Sequence, residues 1–198
     1  MPVSNAKLPP EYSLDILLPE RVEQEFRQWV ERTPGATRPP RGGHITLLNR
    51  FVSVGRLKLL VERIEEACVT FRPFTITLNE VVCDQHWSDP QLKTVLLINS
   101  SRDTEDYRTL VQLHDRLNAC LGSLKRDAQP EISKRDYVPH LSLTRGSREA
   151  EAIRLTEAAR AARLTIAFTA ERIWLLEFTR TSSETEQMRR VRSFALGG

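Results

Sequence analysis

A chain of 198 residues, 40% hydrophobic and 28% charged, is long enough for one substantial core or two small lobes packed together, and its composition is that of an ordinary globular domain. No apolar run approaches the roughly 18 residues that span a bilayer, and Met1 to Lys7 lacks the apolar stretch of a secretory leader, so the expectation is a cytoplasmic protein with no membrane partner. The formal net charge of +3 is too small to announce a nucleic-acid protein; it permits a local basic groove without demonstrating one.

Residues 1–12, with Pro2, Pro9 and Pro10, read as a loose lead-in, and 12–18 as a first strand stopped by Pro19. Val22, Phe26, Trp29 and Val30 then recur at helical spacing, which predicts a helix over Glu20–Arg32 with its apolar stripe on a sheet. Residues 33–43 are a loop by every breaker rule, and Arg38 and Arg41 arrive just before His44. A strand beginning at His44 is followed by a break at Val54-Gly55. Leu57, Leu60, Val61, Ile64 and Cys68 then give a second amphipathic helix. Phe74–Leu78 alternates as a strand does, with Val81-Val82 expected to continue it. After a turn over 84–90, residues 94–99 form a near-continuous apolar run, expected to be a strand buried on both faces.

Ser101 or Asp103 is placed to cap a third helix running to Leu121, with Tyr107, Leu110, Val111, His114, Leu117 and Leu121 on one face. Residues 122–139 are polar and read as irregular, carrying Lys125, Arg126, Lys134, Arg135 and Tyr137 just upstream of a second histidine strand at His140. An Ala-rich helix over 148–163 follows, then strands over 164–168, 172–178 and 188–196, the last two joined by a polar turn over 179–186. Each half thus holds helix, histidine strand, helix and further strands, in the manner of a diverged duplication. The expected fold is one α+β domain over 1–198. Its two pseudo-symmetric lobes, roughly 12–100 and 101–198, each carry an antiparallel-rich sheet flanked by helices, with strand exchange allowed between them and a groove at the centre.

Two segments nearly match: His44-Ile45-Thr46-Leu47 and His140-Leu141-Ser142-Leu143, each His-x-(Thr/Ser)-Leu. In a strand, alternate side chains share a face, so His44 lies beside Thr46 and His140 beside Ser142. Singly, each histidine reads as an ordinary hydrogen-bonded residue on a half-exposed strand. As a pair they offer one base and one acid near neutrality, with hydroxyls that donate to an anion held between the rings.

The paired motifs resemble the signature of the two-histidine (2H) phosphoesterase superfamily, in the branch of 2′-5′ RNA ligases and RNA 2′,3′-cyclic phosphodiesterases. The likeness extends to the opening strand that ends in Pro19, the histidine soon after the first helix, and the closing pair of strands. It implies a metal-independent enzyme without cofactor, with His44 and His140 catalytic and Thr46 and Ser142 binding phosphate. The substrate would be an RNA end or a cyclic nucleotide, and the expected state a monomer. It also implies that His44 is the acid and His140 the base when a 2′-phosphate is made, and it proposes Arg145 as a substrate contact. Strict alternation, however, puts Arg145 on the Leu143 face, opposite His140, unless the strand ends or bulges near Thr144. A small-nucleotide or 2′-5′ oligonucleotide phosphodiesterase, and a catalytically silent RNA-binding module, remain as alternatives.

Arg41 belongs to a basic rim beside the first motif and is a candidate substrate contact. Trp87, Trp174, Phe51 and Tyr137 have rings able to stack a base, and Tyr137 lies nearest a motif. His114 reads as a core-edge residue and His86 as surface. Cys83 and His86 have the spacing of half a zinc site without a second pair. The three cysteines, Cys68, Cys83 and Cys120, read as reduced and mostly buried.

Overall fold

The computed structural model describes residues 9–133, 136–144, 146–180 and 186–197. Arg145, Lys134, Arg135 and most of the turn expected over 179–186 lie outside the described residues. The first strand, β1 (Glu11–Leu17), buries Leu14 and Ile16 on one face while Ser13 and Asp15 occupy the other. It pairs antiparallel on both edges, with β2 (His44–Ser53) and with β9 (Arg172–Arg180). Completing this five-stranded sheet are β10 (Glu186–Ala195) outside β9 and β6 (Lys125–Asp127) outside β2.

The remaining strands are β3 (Phe74–Leu78) with β8 (Ile166–Ala170), and β4 (Glu80–Gln85), β5 (Lys93–Ile98) and β7 (His140–Ser142) in that order, every pair antiparallel. Each of these sheets therefore draws on both halves of the chain. Helices α2 (Leu57–Cys68) and α3 (Glu105–Leu121) pack on each other and against the five-stranded sheet. Helix α1 (Glu20–Arg32) lies on β8, and α5 (Glu149–Ala161) on β4 and β5. The periodicities explain the packing: α2 buries Leu60, Ile64, Ala67 and Cys68, and α3 buries Tyr107, Leu110, Leu113, Leu117 and Leu121.

The α+β reading and its antiparallel sheets hold. Several local expectations do not. Val81 and Val82 do not continue β3: at Asn79 the chain leaves one sheet for another, its backbone N–H donating to Ile98 O at 2.8 Å. The run over 94–99 is not buried on both faces. Val95 and Leu97 are fully buried, whereas Thr94, Leu96 and Ile98 are half-buried, since Leu96 and Ile98 stand in register with Ser142 and His140 and share their face. Neither Ser101 nor Asp103 caps α3, which starts after Thr104. The Ser101 hydroxyl instead accepts from Asp103 N at 3.2 Å, stabilising the turn that precedes the helix. The stretch over 122–139 is not wholly irregular. It contains a 3₁₀ turn, β6 and the one-turn α4 (Pro130–Ser133), and β6 is too short and too charged to show an alternation. Of the cysteines, Cys68 is buried and Cys120 half-buried, but Cys83 is exposed on β4.

Helix α5 ends with Arg163 in the left-handed region at φ 50, the position glycine favours after a helix. Leu164 N–H donates back to Ala159 O at 3.0 Å, closing the turn. An exposed arginine gains nothing there that offsets the steric cost of its Cβ. Arg163→Gly is expected to stabilise the fold by about 0.5–1 kcal/mol, read as a higher urea midpoint at unchanged slope.

Candidate active site

The approach to the first motif is clamped by α1. Glu23 accepts from the Gly43 N–H and from Arg38 Nε, each at 2.6 Å, and Leu18 N–H donates to Gly43 O at 3.0 Å. A Cβ at position 43 would run into the side chains of Leu18, Glu23 and Phe26, so a larger residue there requires them to shift. From the same loop, Thr37 N–H donates to Leu143 O at 2.9 Å, so the lead-in to one motif is hydrogen-bonded to the strand of the other. Strand β2 also packs directly against β7. The two histidines thereby come from adjoining strands of different sheets.

The two rings are held alike. His44 Nδ1 lies 2.8 Å from Gly42 O, and His140 Nδ1 lies 2.8 Å from Val138 O, in each case the carbonyl two residues upstream. A carbonyl only accepts, so Nδ1 carries the hydrogen and Nε2 is the basic nitrogen of each ring. Burial pushes both imidazoles below their ordinary range. For His44 the fall is to about 4; burial is the largest cause, the neighbouring Arg41 and His140 add to it, and Asp15 and the Gly42 carbonyl oppose it. For His140 burial again dominates, against the Val138 carbonyl and Asp84. Both rings are therefore neutral at pH 7.

Asp15 is the residue that sequence reasoning missed. It is 0% exposed and faces Thr46 across the β1–β2 ladder, where register shifts at Leu14 bring the two into line. Ser13 Oγ donates to its Oδ2 at 2.6 Å, and Arg41 Nη1 lies 3.3 Å from the same oxygen. The signal was present: Ser13 and Asp15 alternate with Leu14 and Ile16, a polar face on a strand too short and apolar to expose one. Arg41 is at the centre of this cluster, with Nε donating to His44 Nε2 at 2.7 Å, and Nη2 lying 3.5 Å from Thr46 Oγ1 and Nη1 lying 3.4 Å from Ser13 Oγ.

Tyr137 is stacked on His114 with ring centroids 4.0 Å apart, while His114 Nδ1 donates to Leu47 O at 2.6 Å. Burial first, then the negative charge of Asp15, pushes the Tyr137 phenol well above its ordinary value. Among the described residues, the Tyr137 hydroxyl and Asp15 Oδ1 are both buried without a hydrogen-bond partner. Phe51 is fully buried core, whereas Trp174 is half-buried in register with Asp15 and has Arg190 5.1 Å over its ring. Trp87, 41% exposed, lies in the β4–β5 connection beside His86. Among the described residues no three of His, Cys, Asp and Glu converge as metal ligands.

A family model for the 2′-5′ RNA ligase superfamily matches residues 18–182. Escherichia coli LigT complexed with 3′-AMP has a similar structure, with a TM-score of 0.57 and 18% identity, covering 95% of this chain and 98% of that one. The same protein complexed with NADP+ gives 0.57 and 19%, covering 96% and 100%. The protein TT0787 of Thermus thermophilus gives 0.62 and 15%, covering 95% and 98%. These likenesses are of fold. A comparison with curated proteins finds no match.

The depressed His44 value fixes a sign. A ring with pKa about 4 when folded and near 6.5 when unfolded contributes stability above pH 6.5 that is lost as pH falls toward 4, because the unfolded chain binds the proton first. From pH 8 to pH 5 the wild type is expected to lose about 2 kcal/mol more unfolding free energy than His44→Gln, measured by urea titration at the two pH values.

Proposed function

The chain belongs to the 2′-5′ RNA ligase superfamily, and from that membership and the paired rings we propose a metal-independent phosphodiesterase. In this reading it hydrolyses a 2′,3′-cyclic phosphate, on an RNA end or a nucleotide, to a 2′-phosphate. One observation carries the reading: two imidazoles on packed strands, each with its Nδ1–H tied to a carbonyl two residues back, so that both present Nε2 for proton transfer. The nucleotides bound by the E. coli LigT structures support a nucleotide-sized substrate.

In the proposed step, His140 Nε2 takes a proton from water as its oxygen attacks phosphorus. The bond from phosphorus to O3′ breaks, and the protonated Nε2 of His44 gives its proton to O3′. Thr46 and Ser142 hold the non-bridging oxygens as negative charge builds, with Arg41 supplying positive charge beside them. With the 5′-hydroxyl of a second strand in place of water, the same transfers form a bond from that oxygen to phosphorus as the bond to O3′ breaks, giving a 2′-5′ linkage, which accounts for ligase and hydrolase chemistry at one site. A small-nucleotide phosphodiesterase uses the same machinery and differs only in what the groove holds beyond the phosphate.

The test is a panel of 2′,3′-cyclic nucleotides, RNA bearing a cyclic phosphate end and 2′-5′ dinucleotides, run with a chelator. Cleavage that persists under chelation, with His44→Ala and His140→Ala each lowering turnover by about 10²–10⁴ while leaving binding within a few-fold, is the expected outcome. Loss of activity under chelation, or variants as active as wild type, overturns the mechanism. Because one ring must be charged and both are neutral at rest, kcat/KM is expected to climb as pH falls from 8, at most about tenfold per pH unit, and to level off once His140 itself takes a proton, in a stopped assay from pH 8 to pH 5.

A further inference from the structure

The nitrogen that the mechanism needs on the first ring is already engaged. Arg41 Nε donates to His44 Nε2 at 2.7 Å, and the same guanidinium reaches Thr46 at 3.5 Å, Asp15 at 3.3 Å and Ser13 at 3.4 Å. It thus lies against both motif residues of β2, where a phosphoryl oxygen bound by Thr46 has to come. We propose that Arg41 is an anion-released cap: before substrate arrives it occupies the His44 lone pair, and a substrate oxyanion, by taking its N–H groups, frees that lone pair. The proposal deepens the phosphoesterase reading and rests on it for the role of His44.

The exchange follows from donor geometry and charge. A guanidinium presents five N–H groups in a rigid fork suited to the oxygens of phosphate or sulfate. A bond from it to an anionic oxygen adds the attraction of opposite charges and admits a bidentate fit, so a neutral imidazole is the weaker competitor. Buried Asp15 keeps hold of Nη1, so the group turns about an anchor and does not leave the site. Among the described residues, the charged and titratable groups that face His44 are Arg41 from its own loop, Asp15 from β1 and His140 from β7, and Tyr137 faces Asp15 in turn. Swapping the cap for an anion replaces a cation at Nε2 with negative charge, so His44 gains its proton only when an oxyanion is in place. The acid is armed by occupancy.

Sulfate is the probe, since it has no proton to exchange near neutrality. At pH 6 wild-type protein is expected to bind sulfate with uptake of about one proton, read by calorimetry in buffers of different ionisation enthalpy. In ¹⁵N spectra the His44 Nε2 signal should pass from a hydrogen-bonded acceptor to a protonated nitrogen. Arg41→Ala should weaken sulfate at least tenfold, raise the titration midpoint of His44 in the sulfate-free protein and cut the proton uptake. Arg41→Lys, which keeps the charge without the fork, should recover part of the affinity and none of the Nε contact; it decides the matter if the alanine variant does not fold. Sulfate affinity and His44 titration unchanged in both variants would overturn the cap. None of these readouts requires turnover, so an inactive protein with coupled proton uptake sinks the phosphodiesterase reading alone, and an active one without uptake sinks the cap alone.

Discussion

The site depends on one local bond made twice: an imidazole Nδ1–H given to the carbonyl two residues upstream. It sets the tautomer, fixes the ring plane and leaves Nε2 as the basic nitrogen. Two different stretches of backbone produce it. Before His44 the chain uses Gly42 at φ 86 and a Gly43 whose missing side chain lets α1 and β1 close in. Before His140 it uses Val138 and Pro139, where proline's fixed φ does the shaping. The two solutions share a geometry and almost no sequence, as expected where selection acts on the carbonyl's position.

Around those rings the protein accepts costs that a purely structural core would avoid. Asp15 is wholly inside, with one oxygen bound by Ser13 and Arg41 and the other without a partner among the described residues. An unsatisfied buried acceptor costs about 1–3 kcal/mol. The Tyr137 hydroxyl is left in the same condition within reach of that carboxylate's field. These groups connect the two motif segments: Tyr137 precedes His140 by three positions, and Asp15 lies across the ladder from Thr46. Local rules of good packing are thus broken beside the paired histidines.

The sequence carried the elements and the paired motifs plainly, since alternation and helical period survive without knowledge of partners. The likeness of His44-Ile45-Thr46-Leu47 to His140-Leu141-Ser142-Leu143 was enough to choose the superfamily. What it hid were facts set by neighbours. Leu96 and Ile98 look like core in a run of apolar residues; only pairing with β7 reveals that they share a face with Ser142 and His140. Strand β6 has no pattern because three charged residues at a sheet edge need none. Tyr137 seemed a stacking platform by adjacency alone, and the structure puts His114 on one of its faces. Asp15 was visible as a polar residue alternating with Leu14 and Ile16, but its partners Ser13, Arg41 and Thr46 were not.

The position of β1 between β2 and β9 has a consequence for how the molecule is made. Residues 11–17 pair with residues 44–52 on one side, and residues 11–15 pair with residues 174–178 on the other, so the second edge waits for most of the chain to be synthesised. At 5–20 residues per second that interval is roughly ten to thirty seconds, with one side of a largely apolar strand open to mispairing. An inward-pointing charge is among the devices that discourage such pairing. The carboxylate of Asp15, buried on the face it shares with Ser13, is a charge of that kind.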